Sequence, residues 1–142
     1  MKACTIYKTQ NKLLVVCMHE TDAKFYKLAE PIRMLESLEN PTEVGGAVLE
    51  ILSHSKHGLP VHSTGLGIVP ILLKFAGLKS WRKFEAELTE CFAEFDGSMV
   101  HVTPCLKTGG SSRPHLPDKR VVCTATPKDL GDTVVRLLTV TE

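Results

Sequence analysis

The sequence predicts an α+β fold, a mainly antiparallel sheet with hairpins packed by several helices, on three observations. β-rich runs at 3–7 and 12–18 flank the polar turn Thr9-Gln10-Asn11. Asp96-Gly97, a strong hairpin dipeptide, separates the β-compatible run Thr89 to Phe95 from Met99 to Thr103. Two stretches open helices in nearly the same words: Asn40-Pro41-Thr42-Glu43-Val44-Gly45 followed by Val48, and Thr126-Pro127-Lys128-Asp129-Leu130-Gly131 followed by Val134. At 142 residues the chain is expected to form a single domain, 1–142, able to bury about two thirds of its unfolded surface without disulfides or metal.

The elements follow in order. The first two runs make an N-terminal hairpin. Asp22 to Leu38 carries Phe25, Tyr26, Leu28, Ile32, Met34 and Leu35, but Pro31 breaks any single helix, so an irregular strand or short helical turns are expected. The first echo helix runs from about Pro41 to Lys56, with a stop at Gly58. Leu59 to Gly67 reads as loop, and Pro70 opens a short helix that stops at Gly77. Ser80 caps the next helix, with Trp81, Phe84 and Leu88 on one face. Thr89 to Phe95 fits a helical stripe as well as a strand, and the hairpin signal after it favours strand. Its partner alternates Met99, His101 and Thr103 with Val100 and Val102. A loop from Pro104 to about Asp118, a strand at Arg120 to Thr124 and the second echo helix complete the chain.

In each echo copy Asn40 or Thr126 is placed to cap free first-turn amides, and Pro41 or Pro127 stands where a missing N–H costs nothing. Glu43 and Asp129 meet the positive end of the helix dipole, and Glu43 can complete a capping box. Val44, Ala47, Val48, Ile51 and Leu52 form one buried stripe, and Leu130, Val134, Leu137 and Leu138 form its counterpart. Glycine inside a first turn costs about 1 kcal/mol against alanine. The shared Gly45 and Gly131 therefore predict close backbone packing.

A formal charge of +1 and 43% hydrophobic residues exclude general disorder and give no overall pull toward nucleic acid or an acidic membrane. The five cysteines, Cys4, Cys17, Cys91, Cys105 and Cys123, are spread singly with no C-x-x-C pair, the pattern of reduced structural thiols in the cytosol. The apolar run Leu13 to Met18 is too short for a signal peptide or spanning helix, so a cytoplasmic protein is expected.

Charge supplies the candidate sites. Glu85, Glu87, Glu90, Glu94 and Asp96 make a concentrated acidic stretch. It reads either as a solvated face or as the complement of a basic nuclease site. The long loop is basic at Lys107, Arg113, His115 and Lys119, and reads as solvated loop or as a contact for phosphate or an acidic protein patch. It lacks the interleaved aromatics of a single-strand binder. His54, His57 and His62 lack the defined third ligand and second shell of a zinc site. Gly65-Leu66-Gly67 lacks a third phosphate-binding glycine, and Gly109-Gly110-Ser111-Ser112 lacks the lysine of a P-loop. Cys105 with His101 or His115 and Asp118 can be drawn as a catalytic triple, without the strand-turn-helix context of a nucleophile motif. Neither a cofactor nor a metal is called for.

The pattern Val44-Gly45-x-Ala47-Val48 through Leu52-x-x-Ser55, Ala76-Gly77-x-Lys79-Ser80-Trp81-x-x-Phe84, Met99-x-His101-x-Thr103-Pro104 and Asp129-Leu130-Gly131 resembles one family of immunity proteins from bacterial contact-dependent growth inhibition systems. The resemblance covers roughly residues 40–142. It implies a cytoplasmic, non-catalytic protein that binds and neutralises the C-terminal toxin domain, commonly a nuclease, of a cell-surface effector. It implies no cofactor and no direct nucleic-acid or membrane partner. The alternatives are a small cytosolic enzyme using Cys105 or a histidine, and an RNA-binding module using the basic loop.

Overall fold

The computed structural model describes residues 1–9, 12–59, 68–106 and 114–140. The N-terminal runs form β1 (Lys2–Thr9) and β2 (Lys12–Glu20), antiparallel, with Thr9 opposite Lys12. β3 (Tyr26–Leu35) follows as an edge strand. Pro31 does not break it, for a specific reason. The register passes from Val16 opposite Ile32 to Cys17 opposite Ala29, leaving Glu30 and Pro31 without partners. A bulge on an edge strand is where a residue without an N–H is tolerated.

The helices α1 (Pro41–Ser53), α2 (Ile68–Ala76) and α3 (Trp81–Glu87) follow, then β4 (Leu88–Phe95), β5 (Met99–Pro104), a 3-10 turn (Pro117–Lys119), β6 (Val121–Thr124) and α4 (Pro127–Val140). The strands form one antiparallel sheet of order β3-β2-β1-β4-β5-β6, an α+β fold as the sequence predicts. Residues 89–95 are strand. Leu88, expected on the helical stripe of α3, instead opens β4 opposite Thr9, where it is buried in the same cluster as Phe84. None of the described helices is long and apolar enough to cross a membrane.

Strand alternation divides the side chains between two faces. On the first, Cys4, Ile6, Leu13, Val15, Cys17, Cys91, Ala93, Val100, Val102 and Cys123 meet the apolar stripes of α1 and α4. Here the echo acquires its cause. A Cβ on Gly45 would overlap the Pro127 carbonyl and stand 2.7 Å from the Gly131 nitrogen. A Cβ on Gly131 would overlap the Pro41 carbonyl and stand 3.0 Å from the Gly45 nitrogen. The two first turns thus cross backbone on backbone, each glycine facing the other helix's proline carbonyl.

The caps are less symmetrical. Asn40 Oδ1 accepts from the Glu43 amide at 3.3 Å. In the second copy the anchoring carboxylate is Asp129, which accepts from the Thr124 amide at 2.7 Å and the Thr124 hydroxyl at 2.8 Å. Those two bonds, amide first, hold the Asp129 carboxyl below its usual range. α1 ends at Ser53, earlier than expected, and Ser55 then clips the exit to the sheet. Its hydroxyl accepts from the Ala3 amide at 2.9 Å and donates to the Met18 carbonyl.

Among the described residues, α2 and α3 cover one end of the second face. There α2 and α3 pack Ile68, Leu72 and Phe84 onto Tyr7, Leu14 and Val16. Phe84 takes edge-on ring contacts from Tyr7 at 5.3 Å and Trp81 at 5.1 Å.

Candidate functional site

Beyond α2 and α3, the second face carries no described helix, and its side chains come from β1, β3, β4, β5 and the segment 114–120. Alternation along β4 brings Glu90, Phe92 and Glu94 to this face together. Ala3 is opposite Glu94 on β1, and its small side chain leaves a trough. Tyr26 crosses that trough from β3, three strand spacings or about 14 Å away, and its hydroxyl donates to Glu94 Oε2 at 3.1 Å. Its ring meets Phe92 at 5.4 Å. His115 stacks on the same Phe92 at 4.8 Å and 27°.

His115 is positioned by the pairing of residues 104–106 with residues 114–116. The Cys105 amide donates to the Glu90 carbonyl, Leu106 to Pro114, and Leu116 to Pro104, with Cys105 and His115 paired as a bridge. Along the same face the Thr5 hydroxyl donates to Glu90 Oε2 at 2.6 Å, and Arg120 Nε donates to Thr103 Oγ1 at 3.1 Å. A neutral hydroxyl on a sheet residue thus donates to each of the two carboxylates.

Environment tunes these groups. Burial, then the Glu94 charge and hydrogen bond, push the Tyr26 phenol above its usual range, and Glu20 adds in the same sense. Tyr26 therefore stays a donor. Burial lowers the His115 pKa, Glu94 opposes this, and Arg120 adds to the lowering. At the β4–β5 turn, Asp96 Oδ2 lies 2.7 Å from His101 Nε2, while Oδ1 accepts from the Ser98 and Met99 amides at 2.8 Å each. These bonds, the His101 one first, hold the exposed Asp96 carboxyl down at about 2.

The sequence-predicted site residues do not form two opposed patches. Glu90 and Glu94 share the face with His115, so the acidic stretch and the basic loop meet there. Asp96 is spent on its own turn. Glu85 lies half-buried on α3, and Lys119 is exposed on the 3-10 turn. Lys107, Arg113 and the Glu87 side chain lie outside the described residues, as do His62, Gly65-Leu66-Gly67 and Gly109-Gly110-Ser111-Ser112. Sequence reasoning missed Tyr26 and Phe92. The available signal was the two-residue spacing of Phe92 and Glu94 in a strand; nothing local announced that Tyr26 would reach them.

Of the two histidines drawn with Cys105, His115 is its bridge partner and stacks on Phe92, and His101 lies farther away. His101 is held by Asp96, and four residues of strand separate it from Cys105, about 13 Å. Cys105 is buried, like the other four free cysteines. Burial raises the thiols of Cys4, Cys91 and Cys123, and that of Cys17 to about 11, which disfavours the nucleophilic thiolate. Among the described residues no three His, Cys, Asp or Glu side chains stand close enough to hold a metal ion.

No protein-family model matches the chain, and no curated protein matches it. Among solved structures, the chain is similar to a protein of unknown function from Neisseria meningitidis. The TM-score is 0.83 at 12% identity, over 99% of this chain and 95% of that one. It is also similar to a chain of the CdiA-CT/CdiI toxin and immunity complex from Yersinia pseudotuberculosis. There the TM-score is 0.78 at 12% identity, over 98% of this chain and 95% of that one. These likenesses establish a shared fold, and they take in β1 to β3, which the sequence resemblance leaves out.

Proposed function

We propose that this chain is an immunity protein that binds the C-terminal toxin domain of a contact-dependent growth inhibition effector and blocks it, in the cytoplasm and without catalysis. The single observation that carries the reading is the near end-to-end similarity to a chain of a toxin and immunity complex. The residue pattern around Gly45, Ser55, Trp81 and Gly131 supports the immunity side of such a pair. So does the part of the second face around Glu94, whose carboxylates and rings suit a basic protein surface. A nuclease is the toxin class that fits, because a site built for phosphodiesters presents positive charge.

The test is growth. The toxin domain encoded immediately upstream is induced alone and together with this chain. Arrest by the toxin alone and full recovery on coexpression is the expected result. Arrest by this chain alone would make it the toxin member, and arrest that coexpression leaves untouched would end the immunity reading.

A further inference from the structure

We infer that Glu94, with the Tyr26 and His115 rings beside it, is the anchor point for an arginine side chain supplied by the protein partner. That the partner is a toxin domain rests on the proposed function; the chemistry of the anchor does not.

Four features point to a guanidinium. Glu94 is half-buried near the end of β4, and among the described residues no lysine or arginine is ion-paired with it. Its Oε2 is oriented by the neutral Tyr26 hydroxyl, which leaves the full negative charge for an incoming cation. The charge around Tyr26 is reinforced by Glu20, which bears on the same phenol. His115 lies on Phe92 with its ring nearly parallel, so one imidazole face is buried against Phe92 and the residue as a whole remains exposed.

A planar guanidinium can place two N–H groups on a carboxylate and lay its own face on a ring, which an ammonium cannot. Arg120 donates its Nε to Thr103 Oγ1, and among the described residues it makes no ion pair with Glu94. The support is rigid: Phe92 is 5% exposed, packed with Ala3 and Cys105, and fixes both rings that frame the carboxylate. Central, prepositioned aromatic and charged groups of this kind dominate protein–protein binding energy.

The experiment has two arms. In the first, NMR titration at low ionic strength compares acetyl-Gly-Arg-Gly-amide with the peptide carrying neutral citrulline in place of arginine. The arginine peptide is expected to shift signals of Tyr26, Phe92, Glu94 and His115, the citrulline peptide to leave them in place, and Glu94→Gln to abolish the response with an unchanged Tm. Equal shifts with both peptides, a response that survives Glu94→Gln, shifts elsewhere or no shifts at all would overturn the anchor.

In the second arm, the upstream-encoded toxin domain is captured on wild type and on Glu94→Gln. Dissociation at least about tenfold faster from the variant is expected. Equal capture by both overturns the anchor and leaves the immunity reading standing. A Glu94-dependent arginine response with no toxin capture by wild type does the reverse.

Discussion

The two faces of the sheet solve opposite problems. The first is closed by two helices that cross so tightly that Gly45 and Gly131 each face the other helix's proline carbonyl. Its contacts are mainly apolar side chains and backbone. The second face is covered by α2 and α3 at one end. At the other it carries carboxylates held by hydroxyls and a ring stack anchored on Phe92. Rigidity is supplied from below and chemistry is displayed above. A scaffold built this way can exchange its upper side chains without disturbing the crossing that defines the fold.

That contrast can be broken most severely at the crossing. Replacing Gly45 and Gly131 together by alanine is expected to lose on the order of 5 kcal/mol, because the obstacle is backbone and cannot rotate away. A domain of this size has about 5–15 kcal/mol in total, so urea unfolding should find the double variant largely unfolded. Gly46→Ala, whose Cβ would meet nothing within 4 Å, should instead raise stability by up to about 1 kcal/mol. A gain of stability for Gly45→Ala as large as for Gly46→Ala would mean that helix propensity, not the crossing, decides these positions.

Phe84→Ala comes next, at about 3–4 kcal/mol by chemical denaturation, since the ring is fully buried between Tyr7 and Trp81. The covered end of the second face should therefore behave like core. Smaller still is the acid effect at the β4–β5 turn. The Asp96 carboxyl is depressed in the folded chain, so its contribution is complete above its ordinary pKa near 4 and is lost as pH falls toward about 2. Asp96→Asn should lower Tm modestly at pH 7, where the charge contributes fully, and flatten the dependence of Tm on pH across that window, so that the difference from wild type closes near pH 2. Least of all, Glu94→Gln should move stability by no more than about 0.5 kcal/mol. A larger loss would make Glu94 part of the scaffold and erase the distinction between the faces.

The scaffold was readable from the sequence where local chemistry and tertiary role agree. The echo predicts helix starts, apolar stripes and close glycine packing, and all three are present because each is written within one turn of helix. Asp96-Gly97 marks its hairpin for the same reason. Pro31 was harder, because whether a proline breaks a strand depends on the strand lying at an edge and carrying a bulge, which only the assembled sheet decides. The site was largely unreadable. Charge counting found Glu90, Glu94 and His115, but treated them as members of separate acidic and basic stretches. The link between Tyr26 and Glu94 spans 68 positions of sequence and depends on Ala3 being small. No window of sequence contains that information.

The proposed toxin-binding surface is the part of the second face around Tyr26, Glu94 and His115. The most direct measurement is the dissociation constant for the upstream-encoded toxin domain, for wild type and for Glu94→Lys, with Tm followed alongside. Tight binding by wild type is expected, weakened at least about a hundredfold by the charge reversal, with Tm unchanged. Tight binding that ignores the reversal, or no binding by wild type at all, would contradict it.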